Sequence, residues 1–412
     1  MLKVKQLLLF IYAFYIIYLP SIQFINPMLK QSLFIVIFAF INLLFLNKHF
    51  ISFLNNAKHI KLIIIYFLLF MYILFLNISN TNIRFSFIEL WPILQSIFQI
   101  INYIALVIWF FKLNKNKLNN FYNFLLTVGL FQSFLIFLMV LIPPFKEVAN
   151  LLYTQGEELP AFISNILSER IFGVASDYTV VLPFVQVLFA ILSLYIFSKN
   201  NNIKYFIISL ILAISSILNG RTAFYVYIFI FGMYLIYFLA NKISLKRIVI
   251  LVSTAIIIFL ALVIMSNLLP NRFLAISSGI EDIFVFIKTG EARDDIANLT
   301  SDTVIIPSVF TIIFGTGHRV FGKNGLEKFG FATDIGYYND IYQGGLIYIS
   351  LLYSTIIKFM LKNKDDLFFT LTLLLCLSAA NYKATILHST IVYILYLLCF
   401  AKSYLKELES GK

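Results

Sequence analysis

Charged residues are scarce in this 412-residue chain. Asp, Glu, Lys and Arg make up only 12% of it, while 61% of its residues are hydrophobic. A water-soluble globule cannot hide that much apolar surface, which excludes a soluble enzyme. Apolar runs of about 17 to 25 residues recur along the sequence, and each is long enough to cross a bilayer as a helix. We therefore expect an all-α, polytopic integral membrane protein.

Cysteine is rarer still, with two residues in the chain. The two cysteines, Cys376 and Cys399, both lie inside apolar runs, so no disulfide or metal framework is expected. The acidic residues near Arg293 lie side by side in a solvated loop, an arrangement that binds metal ions weakly. The sequence therefore predicts no metal and no cofactor.

The net charge of +12 does not indicate a nucleic-acid partner. Lys and Arg occur in short clusters between the apolar runs rather than along one basic face. Such clusters are typical of segments that set membrane topology. We therefore expect the lipid bilayer as a partner and no nucleic acid.

The apolar runs predict about twelve transmembrane helices in a single domain, 1–412. With both termini cytoplasmic, the inner segments hold most of the 31 basic residues, and the outer segments hold most of the 19 acidic residues. Two extracytoplasmic loops are long, at about 143–176 and at about 267–334, and the larger lies between helices 9 and 10. The predicted spans are 7–25, 33–46, 61–77, 92–111, 121–142, 177–198, 203–219, 222–240, 247–266, 335–357, 367–381 and 386–401.

The larger loop ends in a glycine-rich stretch around Gly315 and Gly317. It is not a dinucleotide site, because no strand–helix–strand unit surrounds it. The glycines allow a sharp turn that could leave amide groups free for a phosphate or a sugar oxygen. A plain re-entrant turn is the alternative.

Three residues of this region could move a proton. Asp334 lies where the tenth span enters the membrane, and it could act as a general base or cap the helix. Asp340 is a second candidate for the base. His318 titrates in a range suited to proton transfer, although a loop histidine can also be merely solvated.

Arginines on the predicted outer side could bind a diphosphate. Arg221 falls in the short turn between spans seven and eight, at the level of the lipid head groups, where it could grip a lipid diphosphate or simply reach ordinary phospholipid phosphate. Arg272, Arg293 and Arg319 are further outer cations. A cluster of them could offset a diphosphate leaving group without a metal.

The whole pattern resembles a known family. About twelve spans, a large late outer loop, the Asn-Gly-Arg-Thr-Ala turn at 219–223, and Phe-Gly-Thr-Gly followed by Thr-Asp-Ile-Gly-Tyr-Tyr within 312–346 are similar to the O-antigen and capsular polysaccharide polymerase (Wzy) family. That family is related to the O-antigen ligase superfamily. The sequence motifs cover only residues 219–222 and 312–346.

The resemblance implies a glycosyltransferase of the bacterial inner membrane. Its donor would be a glycan on undecaprenyl diphosphate, and its acceptor would be a lipid-linked repeat unit on the outer face. A chain-length regulator and a flippase are possible partners. The arginines would neutralise the diphosphate, Asp334 or His318 would deprotonate the acceptor, and the remaining substrate contacts would come from Gly315, Gly317, Tyr337 and Tyr338.

Two other functions stay open. An O-antigen ligase is the first, because ligases have a histidine near the start of the late span and His318 could return to that pocket. A lipid-linked oligosaccharide flippase is the second, although flippases carry charge within their spans, and the predicted spans here have almost none.

Overall fold

The computed structural model describes most of the chain. It covers residues 2–20, 31–56, 59–80, 83, 85–114, 117–154, 170–175, 179–240, 307–362 and 366–410, with a few residues between 249 and 289. Within these ranges the regular structure is helical, without strands. Arg272, Arg293 and most of the ninth predicted span lie outside the described residues.

The helices with defined bounds number fourteen in the described ranges. They are α1 Leu2–Tyr18, α2 Gln31–Asn56, α3 Ile60–Ser79, α4 Phe87–Leu113, α5 Leu118–Leu141, α6 Pro143–Thr154, α7 Val181–Asn200, α8 Ile203–Ile217, α9 Arg221–Ala240, α10 Val309–Phe314, α11 Gly322–Phe329, α12 Gly336–Lys362, α13 Leu367–Lys383 and α14 Thr390–Glu409.

Six of these helices are long and apolar enough to cross a membrane, namely α3, α4, α5, α7, α9 and α12. This confirms the prediction of a helical, membrane-embedded protein. Every predicted span except the ninth overlaps a helix with defined bounds; for example, the predicted spans 61–77 and 222–240 overlap α3 and α9. Long apolar runs identify such segments well, because a helix is the one element that satisfies its own backbone inside lipid.

Two helices form the centre of the bundle. In its most apolar stretch, α7 has 94% of its residues buried and α4 has 72%, against 33% for α3, α9 and α12. Helix α4 packs against α1, α2, α3 and α14, while α7 packs against α5, α8, α9 and α13. Large apolar side chains on the perimeter, such as Leu44 and Ile236, are exposed, as expected of surfaces that face lipid.

Polar side chains fasten the apolar helices to one another. Asn42 of α2 donates to the Tyr12 hydroxyl at 2.8 Å and to Asn102 Oδ1 at 3.1 Å, and so joins α1, α2 and α4. The hydroxyls of Ser209 and Tyr227 lie 2.9 Å apart and join α8 to α9. Each such bond between membrane helices contributes about 0.6 kcal/mol, so they specify the packing more than they strengthen it.

Helix α12 is broken near its start by a glycine pair. Gly345 has φ +64° and ψ −169°, far from helical values. The short helix α10 lies against this break so closely that a Cβ on Gly345 would lie 2.4 Å from the carbonyl oxygen of Ile313. A Cβ on Gly315, at the end of α10, would lie 2.6 Å from the backbone of Gly344. The contact between α10 and α12 therefore requires glycine on both sides.

The glycine contact predicts a sharp effect of one methyl group. We expect Gly345→Ala to destabilise the protein by roughly 2 kcal/mol or more, because the methyl group meets backbone atoms and the dihedral angles suit glycine alone. The matched control is Gly232→Ala in α9, where a Cβ meets nothing within 4 Å. The fraction of monodisperse protein left after heating in detergent measures the difference. Equal survival of the two variants would contradict the account.

Candidate functional site

The segment 314–318 is held against α3 by three side chains. The Tyr72 hydroxyl donates to the carbonyl of Phe314 at 2.7 Å. The side-chain amides of Asn77 and Asn80 donate to the carbonyls of Gly317 and Thr316, each at 3.1 Å. These donors lie toward the carboxyl end of α3, so the segment is fixed at that end of the bundle.

The other side of the segment is bound to α12. The amides of Thr316 and Gly317 donate to the carbonyls of Tyr342 and Gln343 at 2.7 and 2.9 Å, and the amide of Gly315 donates to Thr311. The prediction that Gly315 and Gly317 leave free amide groups for a substrate is therefore wrong. Gly315 instead allows α10 to pack closely against α12, and Gly317 allows the turn to pack closely against α3.

Next to this segment, Glu89 forms a buried ionic cluster. Its Oε2 accepts from the Arg319 side-chain Nε at 3.0 Å, and its Oε1 lies 3.5 Å from Lys328 Nζ. The Glu89 side chain is 3% exposed, whereas those of Arg319 and Lys328 are 21% and 18% exposed. Glu89 also lies in the first turn of α4, where the helix dipole favours a negative charge. The three charges together leave a surplus of one positive charge.

His318 completes what we call the Glu89 cluster, namely Glu89, His318, Arg319 and Lys328. Lys328 Nζ lies 3.1 Å from Nδ1 of His318. An ammonium group can only donate, so Nδ1 accepts and Nε2 carries the ring proton. Nε2 is buried and has no partner among the described residues. Burial and the charge of Lys328, opposed by the charge of Glu89, lower the pKa of His318 to about 4. The ring is therefore a neutral hydrogen-bond donor near pH 7.

Asp340 supplies a second buried carboxylate at the same end of the bundle. It is fully buried in the second turn of α12, and its Oδ2 accepts from Asn381 at 2.8 Å and from the Tyr353 hydroxyl at 3.1 Å. Its Oδ1 is buried without a partner in the described part of the chain. Gln343, one turn further along α12, donates from its side-chain amide to the carbonyl of Glu89 at 3.1 Å, which places this part of α12 next to the Glu89 cluster.

Unpartnered polar atoms gather around these two groups. Besides His318 Nε2 and Asp340 Oδ1, the side-chain oxygens of Asn339 and Gln343 are buried without partners among the described residues. Asn339, Asp340 and Gln343 lie within five residues of α12, and Gln343 is also bonded to the carbonyl of Glu89 at 3.1 Å. Buried polar atoms are normally satisfied, so a set of orphans in one place indicates a site for water or a polar ligand.

A second histidine, His388, is engaged at both ring nitrogens. His388 Nδ1 lies 2.9 Å from the Ser96 hydroxyl, and its Nε2 contacts the Tyr348 hydroxyl. Tyr393 donates to Ser96 at 2.7 Å. This network joins α4, α12 and α14, and it therefore fixes the helix that carries Glu89 against the helix that carries Asp340.

Three predicted residues at the start of α12 have different surroundings. Asp334 is exposed, two residues before the helix begins, and the nearby Thr333 hydroxyl accepts the amide of Ile335 at 3.2 Å. Tyr337 bonds to the Ser378 hydroxyl at 2.7 Å and so ties α12 to α13. Tyr338 packs on the small apolar group formed by Val320, Phe331 and Tyr342. Asp334 is the most accessible of the three.

Arg221 lies elsewhere in the bundle. It begins α9 directly after the turn at Asn219, as the sequence predicted. The carbonyl of Asn219 and that of Thr179 each accept from Arg170 at 3.0 Å, which braces the turn. Because α9 packs on α7, α8 and α13, this arginine belongs to a different part of the structure from His318 and Arg319, which contact α3 and α4.

The sequence reasoning missed Glu89, Asn77 and Gln343 and did not single out Lys328. The sequence does contain one signal for Glu89, which is the only acidic residue among residues 1–146. An isolated acid at the start of an apolar span is expensive unless a cation reaches it. Its partners Arg319 and Lys328 are more than 200 positions away, and sequence spacing gives no sign of that pairing.

The contact between Lys328 and His318 predicts a shift in titration. In Lys328→Met we expect the pKa of His318 to rise from about 4 toward its ordinary value of 6.5, because the neighbouring positive charge is gone. Between pH 6.5 and about 4 in the wild type, His318 is protonated in the unfolded chain but neutral in the folded protein. Acidification through that window therefore destabilises the wild type more than the variant.

Nuclear magnetic resonance of histidine-labelled protein in detergent measures the midpoint directly. Lys383→Met is the matched control, since it removes a cation from the end of α13 outside the Glu89 cluster. An unchanged His318 midpoint in Lys328→Met, or an equal shift in the control, would contradict the proposed pairing.

Comparison with known proteins adds no identity to this geometry. No protein-family model, no curated protein and no solved structure matches the chain. Its function must therefore be inferred from the Glu89 cluster, from Asp340 and from the helices that hold them.

Proposed function

We propose that the protein is a polysaccharide repeat-unit polymerase, a glycosyltransferase that moves a glycan from undecaprenyl diphosphate to a lipid-linked repeat unit. The observation that carries the proposal is the Glu89 cluster beside Asp340. Two partly exposed cations, a neutral histidine donor and an unpartnered carboxylate oxygen meet at one end of an apolar helix bundle. Sugar transfer from a lipid diphosphate needs these kinds of group.

The proposed reaction exchanges one bond for another. The acceptor hydroxyl oxygen bonds to the anomeric carbon of the donor, and the bond from that carbon to the diphosphate oxygen breaks. The electron pair leaves with the diphosphate, whose charge Arg319 and Lys328 offset, and the Nε2 proton of His318 donates to an oxygen of the donor. The acceptor proton passes to Oδ1 of Asp340.

Asp340 is preferred here to Asp334 as the base. A base should lie close to the electrophilic groups in a site from which water is excluded, and Asp340 is fully buried one turn before Gln343, which is bonded to the carbonyl of Glu89. His318 is less suited to that role, because Lys328 occupies the nitrogen that could accept a proton. Asp334 stays a prediction.

The proposed topology places the site on the outer face. Twelve spans with both termini in the cytoplasm put the carboxyl end of α3 and the amino ends of α4 and α12 on the extracytoplasmic side of the inner membrane. Helices α10 and α11 would then belong to the large loop between the ninth and tenth predicted spans. Arg221, Arg272 and Arg293 stay predictions as further cations on that side, and Arg221 lies apart from the Glu89 cluster.

One observation favours an O-antigen ligase as the second candidate. Ligases have a histidine just before the late span, where this chain has Asp334, but His318 lies only sixteen residues earlier and its ring proton has no partner among the described residues. A ligase transfers a finished glycan to a lipid acceptor, whereas a polymerase lengthens the glycan. Surface glycans of a strain that lacks this protein separate the two, because loss of a ligase leaves long unattached chains.

Two carboxylate variants test the proposal in that strain. Wild type and Glu409→Gln, which removes an exposed carboxylate at the other end of the bundle, should both restore a glycan ladder. Asp340→Asn should leave single repeats, because the amide cannot take up the acceptor proton; a loss of about 10²-fold or more is expected for a general base. The variants are compared by glycan gels at equal protein abundance. A full ladder from Asp340→Asn would contradict the assignment, and a full ladder in the strain without the protein would contradict the function.

A further inference from the structure

The end of the bundle opposite the Glu89 cluster contains a separate groove. It has a volume of about 710 Å³ and lies where α3 begins and where α12 and α14 end. Its charged rim is formed by Lys61, Lys358, Lys362 and Lys406, and Glu407 is the one acidic residue among the groove's lining residues. The rim therefore carries a surplus of about three positive charges, which favours an anionic ligand.

A buried histidine lies in the wall of this groove. His59 is only 2% exposed, and neither of its ring nitrogens has a hydrogen-bond partner among the described residues. The rings of Phe53, Phe359 and Phe400 surround it at centroid distances of 4.7 to 5.4 Å. Burial and the charge of Lys362 lower the pKa of His59 to about 3. The imidazole is thus neutral, and its one N–H group can donate a hydrogen bond to a ligand oxygen.

The groove changes from polar to apolar along its length. On α12 its lining runs from Lys362 and Lys358 through Thr355 to Leu351, a distance of about 16 Å along the helix. Leu62 and Ile65 of α3 continue the apolar part. A free phosphate ion would use only the cationic end, whereas a lipid with an anionic head group and an acyl chain matches both parts.

We propose that this groove binds one anionic phospholipid, with its phosphate between the lysines and His59 and an acyl chain along α3 and α12. The binding is independent of the glycosyltransferase function, since the groove shares no residue with the Glu89 cluster. Under the positive-inside topology the groove opens at the inner leaflet, where such lipids are available.

Native mass spectrometry of the purified full-length protein tests the proposal with phosphatidylglycerol as the probe. We expect one retained phosphatidylglycerol and no retained phosphatidylcholine. His59→Phe keeps the aromatic packing and removes both ring nitrogens, so affinity should fall about tenfold, as for a lost hydrogen bond to a charged group. Lys362→Gln should lower the affinity about fivefold and serves as a second variant if His59→Phe does not fold.

Lys204→Gln is the matched control, because it removes an exposed lysine at the start of α8 outside the groove. Phosphatidylglycerol affinity that is unchanged in His59→Phe and Lys362→Gln would overturn the proposal. So would an equal loss in Lys204→Gln, which would indicate general attraction to a basic surface. Displacement of the lipid by inorganic phosphate at equal concentration would also overturn it and would assign the groove to free phosphate.

Discussion

Glu89 is a carboxylate withdrawn from water at the start of a membrane helix, and such a charge is costly to bury without partners. Arg319 and Lys328 supply them from a segment that follows more than 200 residues later in the chain. The pairing fixes the segment that carries His318, and Lys328 in turn sets which nitrogen of that ring holds the proton. The arrangement of the whole candidate site therefore depends on one buried acid.

The break in α12 serves the same end of the molecule. At Gly345 the helix leaves its regular path, and the carbonyls of Tyr342 and Gln343 accept from the amides of residues 316 and 317. The cost of an interrupted membrane helix is offset where a neighbouring segment satisfies the freed groups. The segment then lies between α3 and α12, and Asp340 is buried beside it. Backbone geometry and charge pairing together hold the two carboxylates near each other.

Sequence patterns predicted the helices better than the site. Apolar runs identify α4 and α7 without any knowledge of their neighbours, because the length and hydrophobicity that suit a run to lipid are properties of the run itself. Spacing alone cannot report which loop residue meets Glu89, since that contact joins distant segments. The sequence predicts a turn at Gly315 and Gly317, but in the structure their amides are bonded to backbone carbonyls. Local sequence shows that a backbone can turn, and only the packed structure shows which groups the turn leaves free.

Reconstitution tests the central claim most directly. The purified protein would be placed in proteoliposomes with an undecaprenyl-diphosphate-linked repeat unit, and both the glycan length and the released undecaprenyl diphosphate would be measured. The account predicts a ladder of longer glycans, with one undecaprenyl diphosphate released for each new bond. Repeat units that stay unlinked, or that cross the bilayer without forming a bond, would contradict it, and the second result would identify a transporter.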